Sequence, residues 1–261
     1  MNLYSWNPSS PKNKIDENSY LIPSEELINF SYEMSFRPPN EEWFMHKLKE
    51  GVYDDLFDFS KDMIDIGACH GVYSIEGVKK FNHAYAFEPN TLYARIIGVN
   101  TILNDVVDKV DIYNVFLSDK EYIVDYNGWS GNENSNFLDE TILKYSTYEY
   151  ISYEKSTHAN NIKLKTYILD NFNFDNIGFV KIDTEGYEYK ILQGARNTLI
   201  SNNYPPVLFE LWDEASDFIS NKEEYRIYRQ NIIQYFADLG YTIQYNANDD
   251  PEYPSTHLAI H

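Results

Sequence analysis

The chain has 261 residues, of which 43% are hydrophobic, and its formal net charge at pH 7 is −20. This length allows one large α/β domain or at most two small ones. Because so acidic a surface repels DNA and RNA, we expect no nucleic-acid partner. The single cysteine, Cys69, excludes an internal disulfide. We see no apolar run long enough to cross a membrane.

Residues 1–60 are predicted to form an N-terminal helical arm or lid. Residues 1–22 are polar and lack the apolar stretch of a signal peptide. Helix-like spacing covers 24–35 and 40–50, and the two prolines of "FRPPN" separate these segments. We therefore expect a cytoplasmic protein with one main domain over 61–261.

From residue 61 onward, short apolar strands alternate with helical segments. The predicted strands cover 61–66, 83–89, 109–119, 120–127, 162–169, 176–186, 205–212, 241–246 and 256–261. The predicted helices cover 70–81, 91–103, 187–202 and 223–240. The last helix is closed by Gly240, a residue type favoured after a helix C-terminus. This alternation predicts a parallel sheet with helices on both faces, whose ligands bind at the carboxyl ends of the strands.

Residues 127–160 lack a clear period and interrupt the alternation. Long irregular segments inside compact domains are usually functional or disordered. An acceptor-binding lid and a surface insertion are both compatible with this pattern. Trp129 in this segment and Trp212 farther along could stack on a sugar ring, or they could belong to the core.

The stretch "MIDIGACHGVYS" at 63–74 reads as a strand, a tight turn and the start of a helix. Its G-x-x-x-G spacing departs from the G-x-G-x-x-G of dinucleotide sites, which weakens an NAD interpretation. The turn suits S-adenosylmethionine (SAM) better. Asp65 can face the cationic groups of SAM, while Gly67 and Gly71 let the backbone approach its amino-acid tail. An ordinary tight turn remains the alternative.

The next two strands add candidate contacts to an adenosine cofactor. Glu88 ends "AYAFE" about twenty residues beyond the turn, where an acidic side chain can accept hydrogen bonds from both ribose hydroxyls. A carboxylate that merely starts a helix is the alternative, and Pro89 suits a helix N-terminus. The third strand ends "FLSD", which places Ser118 near the expected adenine position, and an ordinary strand-end turn is the alternative.

These segments, together with "IGFVKIDTEGYEYKILQGA" at 177–195 and "PPVLFEL" at 205–211, resemble the FkbM-type SAM-dependent methyltransferases. The resemblance runs from about residue 61 to about residue 212. It implies an α/β fold of the class I methyltransferase type, Rossmann-like, whose seven-stranded, mostly parallel sheet ends in an antiparallel strand. It also implies O-methylation, often of sugar or polyketide hydroxyls. With the motifs, it gives a predicted cofactor-binding set of Asp65, Gly67, Ala68, His70, Gly71, Ser74, Glu88, Pro89, Asn90, Ser118 and Asp183.

Three carboxylates are predicted to carry the chemistry, namely Asp183, Glu185 and Glu210. Methyl transfer to a hydroxyl requires in-line alignment and removal of a proton, which a carboxylate within hydrogen-bond reach can accept. Asp183 or Glu210 is favoured as the base or the acceptor-orienting group, and Glu185 could do either or cap the following helix. Together the three could also hold a divalent cation. A metal is therefore possible, but no metal site is predicted. Glu188 is interpreted as solvated or structural. The remaining candidate bases are His46, His70 and His257.

The sequence thus predicts a SAM-dependent O-methyltransferase that acts on a small-molecule or glycan acceptor, such as a sugar or glycoconjugate hydroxyl. One alternative is an NAD-dependent oxidoreductase or epimerase on a Rossmann sheet. Another is a non-catalytic binding module with the same fold. The sequence does not indicate the oligomeric state.

Overall fold

The computed structural model describes residues 44, 47, 48, 50–126, 162–213, 219, 221–245 and 255–261. Several predictions lie outside these residues: the lead-in 1–22, the helix at 24–35, His46, and the irregular segment 127–160 with Trp129. The described part of the predicted arm packs on the main sheet. Phe44 and Phe57 are buried against Phe179 of the central strand, at ring-centroid distances of 5.8 and 5.0 Å.

The described residues contain ten strands in two sheets. In chain order they are β1 (Asp62–Ile66), β2 (Ala84–Phe87), β3 (Val110–Tyr113), β4 (Phe116–Leu117), β5 (Ile123–Tyr126), β6 (Ile162–Tyr167), β7 (Ile177–Ile182), β8 (Val207–Glu210), β9 (Thr242–Gln244) and β10 (Thr256–Ile260). The larger sheet has the order β3-β2-β1-β7-β8-β10-β9. Its first five strands in that order pair in parallel, and β10 runs antiparallel to both of its neighbours. This is the predicted seven-stranded, mostly parallel sheet with an antiparallel last strand.

Helices cover both faces of this sheet, as predicted. They are α1 (Val72–Gly77), α2 (Thr91–Leu103), α3 (Glu188–Gly194), α4 (Arg196–Ser201) and α5 (Lys222–Asp238). Successive side chains of a strand point to opposite faces. Accordingly, Met63 of β1 belongs to the core that includes residues of α1 and α2, whereas Ile64 belongs to the core with α3, α4 and α5.

The single third strand predicted over 109–119 is instead two strands in different sheets. The side-chain amide of Asn114 donates to the carbonyl oxygens of Glu88 and Pro89, at 2.8 and 3.0 Å. The Val115 amide donates to the carbonyl of Tyr113, which bends the chain between β3 and β4. β4 then pairs with β6 of the smaller sheet, whose order is β4-β6-β5.

The continuous helix predicted over 187–202 is also divided, into α3 and α4. A cap from another part of the chain starts α4, because the Asp170 carboxylate accepts the amide hydrogens of Asn197 and Thr198 at 3.0 and 2.7 Å. A carboxylate there satisfies amides that have no partner within the helix. A six-residue α4 thus begins directly after α3 instead of extending it.

The last helix ends as predicted. α5 stops at Asp238, and Gly240 follows in the left-handed region with φ of 84°. A glycine there avoids the steric cost that a Cβ would bring. Among the described residues, no helix combines the length and apolar character that a bilayer crossing requires.

Candidate active site

A cleft opens at the carboxyl ends of β1, β2, β4 and β7, where parallel sheets of this kind bind ligands. Predicted site residues that line it are Gly67, Glu88, Pro89, Asp183 and Glu185. The turn after β1, the start of α2 and the turn after β7 therefore meet at one opening. Residues far apart in sequence contribute to its wall because their strands are neighbours in the sheet.

Glu88 is only 6% exposed although it lines the cleft. Its two carboxylate oxygens accept the backbone amides of Cys69, at 2.9 Å, and Asn90, at 2.8 Å. Burial raises the pKa of Glu88 to about 8, and the nearby Cys69 thiol adds to this effect, while the two amide donors oppose it. The carboxyl is therefore held rigidly and gains a charge only in mildly alkaline solution.

Asp65 is fully buried behind the turn after β1. One of its oxygens accepts both the backbone amide and the hydroxyl of Ser74, at 3.0 and 2.7 Å. The other lies 3.4 Å from the ammonium of Lys181, which is itself only slightly exposed. The geometry favours an indirect role for Asp65, through Ser74 and Lys181, and direct contact with a cofactor stays a prediction.

Gly67 and Gly71 both adopt left-handed backbone conformations, with φ of 75° and 83°. A Cβ on Gly67 would overlap the carbonyl oxygen of Asp183, so glycine lets the β1 turn touch the β7 turn. A Cβ on Gly71 would meet Ile97 of α2 at 2.9 Å. The first glycine thus shapes the cleft, and the second permits helix packing.

The other predicted cofactor residues are mostly buried beside the cleft. Ala68, His70 and Asn90 are between 5% and 6% exposed, and Ser118 is fully buried. The imidazole Nδ1 of His70 lies 3.2 Å from the thiol of Cys69, which lines the cleft. Their contact with a bound cofactor stays a prediction.

Asp183, Glu185 and Glu210 come together as the sequence suggested. One carboxylate oxygen from each lies within 4.8 Å of the other two, and all three side chains are partly exposed. Oxygen ligands at this spacing could accept a hydroxyl proton or hold a cation. The Lys181 ammonium lies 3.8 Å from Asp183 and supplies a positive charge beside the group.

His257 on β10 and Trp212 after β8 have packing contacts. Burial lowers the pKa of His257 to about 4, and its Nε2 lies 2.9 Å from the carbonyl oxygen of Leu211. The imidazole of His257 is therefore neutral at physiological pH. Trp212 is partly buried and packs against the core with α3, α4 and α5.

Sequence reasoning missed Lys181. Its ammonium donates to the carbonyl of Gly67 at 2.9 Å, across 114 residues of sequence, and it lies over the ring of Tyr73. A lysine inside the otherwise apolar run of β7 was the available signal. A charged side chain there must find buried partners, and this one links the β1 turn to Asp183.

A family model described as the methyltransferase FkbM domain matches residues 65–243, more than half of the chain. The chain belongs to this family. The FkbM family match and the strand order of the main sheet agree with the predicted class I methyltransferase fold. The family match favours methyl transfer over the NAD-dependent alternative.

Solved structures that match this chain include several methyltransferases. Methyltransferase FkbM from Methylobacillus flagellatus KT is 13% identical with a TM-score of 0.49, and the alignment covers 92% of this chain but 56% of that one. This chain thus spans little more than half of that protein. The O-methyltransferase from Bacillus cereus in complex with SAH is 11% identical with a TM-score of 0.41, covering 88% and 96% of the two chains. No curated protein sequence matches this chain.

Proposed function

We propose that this FkbM-family protein transfers a methyl group from SAM to a hydroxyl oxygen of a sugar or glycoconjugate. The observation that carries the proposal is that the rigidly held Glu88 lines one cleft together with Asp183 and Glu185. The carboxylates of Asp183 and Glu185 lie within 4.8 Å of that of Glu210. When bound, SAM supplies an activated methyl group on a sulfonium. The protein's own residues must then hold the two substrates in line and take up one proton.

The cofactor end of the cleft fits an adenosine compound. The carboxylate oxygens of Glu88 are fixed by two backbone amides and can accept hydrogen bonds from ribose hydroxyls. Gly67 keeps the wall at this point free of a side chain. The left-handed turn that follows carries Cys69 at the cleft and buries His70 behind it. These residues would bind and orient SAM.

The acceptor end of the cleft suits a neutral polyhydroxyl compound. Partly exposed carboxylates accept hydrogen bonds from several hydroxyls at once. The Lys181 ammonium stabilises the anionic form of Asp183, so we assign Asp183 to orienting the acceptor. Glu185 or Glu210 then receives the hydroxyl proton. The net charge of −20 disfavours a nucleic-acid or other polyanionic acceptor.

A reducing compartment is compatible with the single cysteine, so a cytoplasmic location stays part of the proposal.

Calorimetric titration with SAM tests the cofactor assignment, with NAD as the control ligand. We expect SAM to bind and NAD not to bind. Above pH 8, Glu88→Gln should weaken SAM binding by about 10- to 150-fold, because a hydrogen bond to a charged acceptor contributes about 1.5–3 kcal/mol. A folded protein that does not bind SAM would refute the proposed function.

Methyl transfer from labelled SAM to a panel of monosaccharides and glycosides tests the acceptor. Glu185→Gln and Glu210→Gln should keep SAM affinity within about twofold, and the variant lacking the base should lose about 10²- to 10⁴-fold in kcat. Equal activity of wild type and both variants would contradict carboxylate catalysis.

A further inference from the structure

The turn between β7 and α3 carries Asp183 and Glu185 in an unusual backbone conformation. Glu185 and Gly186 are both left-handed, with φ of 55° and 102°. A left-handed conformation is unfavourable for a side chain such as glutamate, so neighbouring contacts must hold it. The part of the chain that provides these contacts determines where the two carboxylates point.

Glu188, in the first turn of α3, makes those contacts. Its carboxylate accepts the backbone amide and hydroxyl of Thr184, at 2.8 and 3.0 Å. It also accepts the amide of Gly186, with its two oxygens at 3.1 and 3.3 Å. Glu188 is only 2% exposed, so the solvated alternative considered for it is wrong. One buried carboxylate therefore holds the backbone on both sides of Glu185.

Helix α5 fixes Glu188 in turn. The Tyr228 hydroxyl donates to the Glu188 carboxylate. From the same helix, the Tyr225 hydroxyl donates to the carbonyl of Trp212 at 3.0 Å, and the Arg229 guanidinium also donates to that carbonyl. Residues three and four positions apart lie on one helix face. This face thus holds both the β7 turn and the segment just after Glu210.

We infer that Glu188 and Tyr228 are positioning residues that place Asp183 and Glu185 beside Glu210. Their catalytic importance rests on the proposed function, because the three carboxylates act on the acceptor only in that proposal. The conformation of the turn between β7 and α3 does not depend on the proposed function. Both side chains hold the reactive groups in place and need not touch either substrate.

Tyr228→Phe tests this role, because it removes one hydroxyl donor and keeps the ring. By NMR of the full chain, we expect the Thr184 and Gly186 amides to exchange about tenfold faster, the size of effect of one lost hydrogen bond. The side-chain carboxyl resonance of Glu185, assigned against Glu185→Gln, should also move, because its distance to the other two carboxylates changes. Glu188→Gln should change both quantities in the same direction.

Tyr241→Phe is the matched control. Tyr241 is buried and donates to the carbonyl of Pro205 at 2.9 Å, before β8 begins. Tyr241→Phe should lose comparable thermal stability without changing the exchange of the Thr184 and Gly186 amides or the carboxyl resonance of Glu185. Equal behaviour of Tyr228→Phe and Tyr241→Phe in both measurements would overturn the inference. Failure of the wild type to bind SAM would refute the proposed function alone.

Discussion

At the scale of single residues, Glu88 combines a ligand-binding geometry with an unfavourable environment for its charge. Burial raises its pKa to about 8, although backbone amides of Cys69 and Asn90 donate to it. In the free protein the carboxyl is therefore mostly protonated at neutral pH. Ribose hydroxyls that donate to it would favour the ionised form, so SAM and a proton should compete for this residue.

We therefore expect SAM binding to depend on pH. Because the bound form needs the carboxylate, affinity should fall about tenfold for each pH unit below 8 and level off above it. Calorimetry in buffers of different ionisation enthalpy should show proton release on binding at pH 7. Glu88→Gln should bind weakly and almost independently of pH, and a flat wild-type affinity between about pH 6 and pH 8 would contradict the mechanism.

The group of Asp183, Glu185 and Glu210 leads to a second expectation. Carboxylates within 4.8 Å of one another repel, and either a shared proton or a divalent cation would relieve this. Lys181 already lies 3.8 Å from Asp183, so we expect the group to work without a metal. Calorimetry with MgCl₂ on chelator-treated protein should detect no binding tighter than about 1 mM. Tighter binding that Glu185→Gln abolishes would show a metal site instead.

The proximity of Asp183, Glu185 and Glu210 could be predicted from the sequence, whereas their catalytic role stays a prediction. The three carboxylates were selected because each follows or ends a recognisable apolar strand, and strand ends meet at one edge. Lys181 could not be assigned in this way, because its partners at Asp65 and Gly67 are known only once β1 and β7 are neighbours. The same holds for Tyr228, whose partner lies 40 residues away.

At the scale of elements, the close packing of α3 against Ser118, the residue that follows β4, depends on Gly194. A Cβ at this position would overlap the carbonyl oxygen of Ser118, which belongs to the backbone and cannot move aside alone. The glycine of "LQGA" is thus explained by the close packing of α3 against the carbonyl oxygen of Ser118. α2 offers a contrast, because a Cβ on its Gly98 would meet Ile112 at an ordinary 3.7 Å.

These two helical glycines should respond oppositely to alanine. Gly194→Ala should lower the free energy of unfolding by about 1–3 kcal/mol through overpacking. Gly98→Ala should leave it unchanged or raise it by up to about 1 kcal/mol, the helix-propensity advantage of alanine. Urea denaturation measures both. Equal effects of the two substitutions would mean that helix propensity, and not the Ser118 contact, decides the result.

Local sequence patterns predicted those elements whose ends do not depend on contacts with residues distant in sequence. The helix over 91–103 was predicted to the residue, since apolar spacing alone defines it. The division of 187–202 was not predicted, because it depends on Asp170 from a separate turn. Likewise, the bend after β3 depends on Asn114 reaching the carbonyl of Glu88.

At the scale of the whole molecule, the charge of −20 dominates the response to salt. Like charges repel in the compact state, and salt screens them. Raising NaCl from about 10 mM to about 0.15 M shortens the Debye length from about 30 Å to about 8 Å. We expect the thermal midpoint to rise over this range, as followed by circular dichroism. Choline chloride should raise the thermal midpoint by the same amount as NaCl. A midpoint that falls with added salt would indicate that attractive ion pairs dominate.

The link from Lys181 to the carbonyl of Gly67 also has a consequence for synthesis on the ribosome. The glycine turn leaves the exit tunnel first, and 114 residues must follow before its buried lysine partner exists. Parallel pairing of β1 with β7 likewise joins distant parts of the chain, which slows folding. The nascent chain therefore carries the glycine turn through 114 further residues of synthesis without the lysine that holds it. A chain truncated before β7 would lack this link between the β1 turn and β7.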